Sequence, residues 1–121
     1  MHELSLARAI LAEVVEAATV REVECVESIH LKIGALCGIF ADSLELGFEI
    51  ASVGTICEAA SLQFSTSPVT IWCQSCDTAV SPIGQLDFRC PKCLTSSAQL
   101  ITGRELEIVS FTPKPIALVS C

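Results

Sequence analysis

Apolar residues recur at helical spacing from the start of the chain. Leu4, Ala7, Leu11, Val14, Val15 and Ala18 stand at i, i+3, i+7, i+10, i+11 and i+14, while Arg8, Glu13 and Glu16 lie off that stripe. The spacing predicts a helix over about residues 3–20, with Glu13 and Glu16 on its wet face. Ile29, Leu31 and Ile33 then alternate with Ser28, His30 and Lys32, the pattern of a half-buried strand, and Gly34 and Gly38 punctuate its end. Asp42-Ser43-Leu44-Glu45 has the small polar residues and first-turn acid of a helix start. Leu44, Gly47, Phe48 and Ala51 share a face after it, and Gly54 is the expected stop. Leu62 and Phe64 alternate with Ser61, Gln63 and Ser65 in a second strand, which Ser67-Pro68 breaks. After Gly103, Leu106 and Ile108 alternate with Glu105 and Glu107 in a third strand, whose acids are expected to face solvent.

The simplest packing of these elements is an α+β fold: a three-stranded sheet with two helices on one face. Residues 69–103 hold little that could build a core and fall between the second and third strands, so they read as an inserted module. The predicted organisation is a discontinuous α/β domain, 1–68 with 104–121, and an inserted domain, 69–103. The tail from Thr112 to Cys121 carries Pro113 and Pro115 before Ile116, Ala117, Leu118 and Val119; the pattern leaves it either covering a sheet edge or loose.

Charge divides the chain in the same way. Of the 14 acids and seven bases, residues 1–72 hold ten acids and three bases, so that segment carries the whole −7 and the remainder is neutral. A neutral module beside an acidic one argues against nucleic acid, whose phosphates need a basic face. About half the residues (51%) are apolar, but only five Phe and one Trp are aromatic, so the core is aliphatic. No clean apolar run of membrane-spanning length appears, and MHELSLARAI has no basic n-region of a secretory signal. The expected setting is the cytoplasm.

The cysteines carry the strongest chemistry. Cys73-Gln74-Ser75-Cys76 and Cys90-Pro91-Lys92-Cys93 are two Cys-x-x-Cys pairs separated by 13 residues. Each pair places two thiolates on one tight turn, and two such hairpins facing each other supply four sulfurs to one metal, the closed arrangement of structural zinc. Zinc is favoured because it accepts soft thiolates and has no redox chemistry. The competing readings are two disulfides, a redox-active dithiol and a rubredoxin-like iron site; the cytosolic setting weighs against the first. Turns of this kind usually carry Gly after the second Cys. Here Asp77 and Leu94 stand there, and Leu adopts the left-handed conformation poorly, so a reshaped second turn is expected. Cys25, Cys37 and Cys57 read as small buried apolar groups, and Cys121 as a reactive end.

At the amino terminus, the Met1 amine, the His2 backbone nitrogen and the His2 imidazole form a compact nitrogen set, to which Glu3 adds a backbone nitrogen or a carboxylate. Ni(II) and Cu(II) tolerate square-planar geometry of that kind. Taken alone, a His after Met reads first as an ordinary exposed residue. His30, in mid-strand, reads as a partly exposed residue rather than a ligand, and no Ser/His/Asp set is present, so no enzyme is expected.

Five stretches together resemble a known family: MHELSLA, LKIGALCGI, GTICEAASL, GRELEIVSF, and the two cysteine pairs with their gap of 13. The chain looks like the hydrogenase nickel-incorporation metallochaperones, the HypA/HybF family, over about residues 1–111. The resemblance implies a nickel site on Met1, His2 and Glu3 and a structural zinc on Cys73, Cys76, Cys90 and Cys93. It implies a non-enzymatic carrier that delivers Ni(II) to the [NiFe]-hydrogenase large subunit with a partner GTPase. Ala35, where the family often has an acid, Leu94 and the apolar tail depart from the pattern. A zinc-ribbon module that binds a protein or nucleic acid is the alternative, and a rubredoxin-like electron carrier a third. Short joints at Ser67-Pro68 and Gly103 leave strand exchange between copies, and so a homodimer, open.

Overall fold

The computed structural model describes residues 2–84 and 86–115, without the side chain of His2. Its order is α1 (His2–Val20), β1 (Val26–Gly34), α2 (Ala41–Ala51), β2 (Ser61–Ser67), β3 (Thr70–Cys73), β4 (Thr78–Val80), β5 (Leu100–Thr102) and β6 (Leu106–Pro113). One three-stranded sheet has the order β2-β1-β6 and a second has the order β4-β3-β5. The predicted α+β plan is therefore present, with the cysteine segment inserted between the second and third strands of the main sheet. None of the described helices is long and apolar enough to cross a membrane.

The chain divides into two compact units, residues 1–31, 39–64 and 108–121 in one and 32–38 and 65–107 in the other. In the first, the buried face of α1 is Ala7, Ile10, Val14 and Ala18. Ile10 lay outside the predicted stripe; Leu4, Leu11 and Val15 are only half-buried. The helix ends where Glu22 turns left-handed at φ 56° and Val23 N donates to Ala18 O at 2.8 Å. Against α1 packs α2, whose Leu44, Gly47 and Phe48 are buried. Gly47 permits a close approach: a Cβ there would stand 3.4 Å from both Glu3 O and Leu4 Cα. Ile29 and Leu31 of β1 are fully buried, as are Leu44 and Val14, and each such side chain contributes about 1.5–3 kcal/mol.

The start of α2 differs from expectation. Its N-cap is Phe40, which makes no side-chain capping bond, and helical pairing begins with Leu44 N donating to Phe40 O at 3.0 Å. Asp42 instead lies within the first turn, where its charge favours the positive end of the helix dipole. The helix also stops before Gly54: Ser52 is the C-cap, and Gly54 makes the left-handed turn beyond it at φ 81°.

The second unit is organised by a backbone crossing. Gly34 N donates to Glu105 O at 2.7 Å and Leu36 N to Gly103 O at 2.6 Å. A Cβ on Gly34 would collide with the carbonyl of Gly103 and stand 2.6 Å from Arg104 N. Glu107 is exposed as its alternation suggested, but Glu105 is half-buried and tied to the backbone beside it. Its carboxylate accepts from Gly103 N at 2.7 Å and from Ser67 Oγ at 2.9 Å. Its own and the Gly103 backbone N–H groups, with the Ser67 hydroxyl, hold its pKa below the usual carboxylate range. The third strand also runs longer than its short alternation implied, to Pro113. Within the first unit, Lys114 N donates to Cys25 O at 2.9 Å just beyond it. Residues 116–121 of the tail, including Cys121, lie outside the described residues.

Candidate metal centres

The inserted module is two hairpins on a small sheet. β3 pairs antiparallel with β4 (Ile71 with Val80, Cys73 with Thr78) and with β5 (Ile71 with Leu100). Ser97 Oγ donates to Trp72 O at 2.6 Å and Trp72 N to Gln99 O at 2.9 Å, which ties the second cysteine turn's exit back to β3. The buried residues of its cluster are Ile71, Cys73, Val80 and Cys90. Half of this core is therefore sulfur ligand rather than aliphatic side chain.

Cys73, Cys76, Cys90 and Cys93 come together, with all four Sγ atoms within 4.8 Å of one another. Cys73 Sγ lies 3.5 Å from Cys93 Sγ, and Cys76 Sγ 3.9 Å from Cys90 Sγ. A tetrahedron with metal–sulfur bonds near 2.3 Å has edges of roughly 3.8 Å, so the spacing fits one thiolate-bound dication. All four are free thiols, not disulfides. The disulfide reading of the sequence does not describe this arrangement.

The two cysteine turns close through different hydrogen bonds. Cys76 N donates to Cys73 Sγ at 3.4 Å, and Leu94 N to Cys90 O at 2.8 Å. Asp77 and Leu94 both adopt left-handed backbone, at φ 52° and 61°. The second turn is thus not reshaped at Leu94. The side chain is 59% exposed, so the penalty for an L-residue in this region is borne without a clash in a core.

The sulfurs differ in acidity when only protons compete for them. The Thr95 hydroxyl and backbone N–H, then Cys73, hydrogen-bond to Cys93 and bring it down to about 6. Cys76 is pushed up to about 12, first by its hydrogen bond with Cys73 and then with Cys93, with burial adding to the rise. A dication bound by Cys76 must displace its proton, so binding releases protons and tightens as pH rises. Thr95 is the participant that the sequence reading missed; a hydroxyl residue two places past the last ligand was its only signal.

The amino-terminal residues stand at the start of a helix. α1 begins at His2, so the chain reaches its first turn at once, and Glu3 is half-buried in that turn. Gly47 of α2 lies against the backbone of Glu3 and Leu4, which seats this end of the helix. Met1 and the His2 side chain lie outside the described residues. His30 is half-buried in β1, and among the described residues the four cysteines are the only group of three or more metal-ligating side chains in reach of one ion. Of the scattered cysteines, Cys57 is a buried thiol and Cys37 a half-buried one, whereas Cys25 is buried but disulfide-bonded rather than the simple apolar group expected.

A family model described as hydrogenase/urease nickel incorporation, metallochaperone, hypA, matches residues 1–112. A hydrogenase maturation factor HypA from Roseiflexus sp. (strain RS-1) is 38% identical over 111 residues, covering 92% of this chain and 90% of that protein. The factor of the same name from Chloroflexus aggregans is 42% identical, with 92% and 97% covered. Among solved structures, a HypA protein in solution superposes with a TM-score of 0.75 at 23% identity, over 94% of this chain and 97% of that one. The Ni metallochaperone HypA from Helicobacter pylori gives 0.68 at 21%, over 92% and 96%. The two structures speak to the fold.

Proposed function

This chain belongs to the hydrogenase/urease nickel-incorporation HypA family and is a nickel metallochaperone of hydrogenase maturation; on that premise we propose that two chemically distinct centres divide its work. Cys73, Cys76, Cys90 and Cys93 hold a structural zinc, and Met1, His2 and Glu3 hold the nickel that is carried. The observation that supports this division is the closure of the sulfur cage. Four thiols within 4.8 Å of one another satisfy a tetrahedral ion completely and leave no open position for exchange. A transported ion needs the opposite: an accessible site whose donors can be taken over by an acceptor. Nitrogen donors at a free chain end suit Ni(II), and protonation of an imidazole near about 6.5 gives a route to release.

In this reading the domain 1–68 with 104–121 is the nickel-binding part and 69–103 the zinc-binding part. The cargo passes to the [NiFe]-hydrogenase large subunit with the help of a maturation GTPase, in the cytoplasm, and no reaction is catalysed. The acidic segment attracts a divalent ion and basic partner surfaces, an effect that salt weakens.

The test is metal stoichiometry of the untagged chain. His2→Ala, and separately one added residue before Met1, should abolish Ni(II) binding while one equivalent of zinc stays. Unchanged nickel binding in both variants rejects the amino-terminal site. Loss of nickel on Cys93→Ser, with the amino terminus intact and the fold preserved, would move the cargo to the sulfurs.

A further inference from the structure

Helix α2 is apolar on both sides. Its buried side, Leu44, Gly47 and Phe48, packs in the first unit. On the other side Leu46 and Ile50 stand at i and i+4 and are 59% and 60% exposed; Val53, just past the Ser52 C-cap, is 67% exposed, and Phe40 before the helix is 73% exposed. A helix at a protein surface normally places polar residues there. A continuous ridge of large side chains left in water instead marks a surface that another chain covers.

Charge selects the kind of chain. Asp42, Glu45 and Glu49 flank the ridge on one side, all exposed, and α2 contains no basic residue. Beside them a groove is lined by Glu45, Glu49 and Glu58 together with Phe48 and Leu62. Three carboxylates around an apolar cleft repel a second acidic surface and favour long basic side chains, whose stems lie on apolar surface while their heads meet the acids. Two copies of this ridge would bring the same acids together, which disfavours a self-complementary pair.

We infer that the outer face of α2 is a docking surface for a helix of another protein, one with an apolar stripe bordered by Lys or Arg. Leu46, Ile50 and Val53 are the apolar anchors, and Glu45 and Glu49 select the basic border. Gly47, on the opposite side of the same helix, seats the first turn of α1. A partner held on α2 is thus held on the element that positions the chain's amino terminus. The inference stands on exposure and charge and does not depend on where nickel binds.

The probe is a synthetic amphipathic helix of about four turns, with leucines at i, i+3, i+4 and i+7 and lysines on both borders. It is titrated against the full-length zinc-loaded chain by fluorescence anisotropy, and the contact is mapped by amide shifts. The expected result is saturable binding that maps to α2, weakens as salt is added, and falls at least tenfold in Leu46→Ser/Ile50→Ser. Leu86→Ser, an exposed apolar residue in the other unit, should leave it unchanged. All three side chains are exposed, and zinc content with thermal melting checks that each variant is folded. Equal binding of a glutamate-bordered helix, shifts that map away from α2, or no effect of the double variant would overturn the inference. So would a concentration-dependent dimer of the wild type that the double variant abolishes, since a second copy would then be the occupant.

Discussion

Removing the metal from the sulfur cage should unfold the inserted module and leave the helical unit standing. The aliphatic members of the buried cluster around the sulfurs are Ile71 and Val80; the other two members are Cys73 and Cys90. Two aliphatic side chains contribute about 3–6 kcal/mol. Ordering costs roughly 1–2 kcal/mol per residue, so that burial offsets only a few residues of a segment that spans 69–103. A structural zinc supplies about 10–16 kcal/mol at neutral pH, and it is the larger contribution. Trp72 is the only tryptophan and the chain has no tyrosine, so indole fluorescence reports on this module alone. Treatment with a thiol-reactive mercurial and chelator should shift Trp72 emission to the red, while the far-ultraviolet signal of α1 and α2 persists. Cys90→Ser, which removes a buried ligand, should give the same emission without chelator. If Trp72 emission and the amide protection of Ile71 and Val80 survive complete metal removal, the metal is not what holds this module together.

Three further outcomes follow from particular contacts. Gly34→Ala should lower stability by about 2–4 kcal/mol, because a methyl group there forces apart two backbone hydrogen bonds and leaves their donors unpaired; an unchanged denaturant midpoint would contradict the close crossing of Gly34 and Gly103. Glu105 has a depressed pKa in the folded chain, so its contribution is present above its unfolded value of about 4.3 and is lost as pH falls through the lower folded value. Glu105→Gln should therefore be less stable at neutral pH and show a smaller further loss on acidification, read from melts across that range; parallel profiles for the two proteins would contradict it. Burial pushes the Cys57 thiol up to about 11, so in the native, metal-loaded protein it should resist alkylation at pH 8 and react once denaturant is added, as mass spectrometry of the modified peptide would show. Rapid native labelling of Cys57 would place it at the surface.

The sequence by itself determined the elements whose signal is periodic and the site whose signal is spacing. The stripe from Leu4 to Ala18, the alternation of Ile29, Leu31 and Ile33, and two Cys-x-x-Cys pairs at a gap of 13 each encode local geometry, because helices, strands and metal turns repeat at fixed intervals. The sulfur cage was legible in full for that reason. Tertiary structure alone decided the rest. Glu105 alternates like a solvent-facing strand residue, yet it accepts from Ser67 Oγ, 38 positions away in the chain. Nothing within its own segment encodes that partner. Phe40 caps α2 in place of a polar residue because the helix is fixed by the packing of Leu44 and Phe48, which outweighs a single capping bond. Leu94 keeps the left-handed turn that its side chain disfavours, in the arrangement that brings four sulfurs from two distant pairs together. Leu46, Ile50 and Val53 have the same apolar character as the buried residues beside them; which face of α2 meets the core and which is left in water depends on where α1 lies. Local periodicity fixes what a segment becomes, and contacts between distant segments fix which of its faces is used.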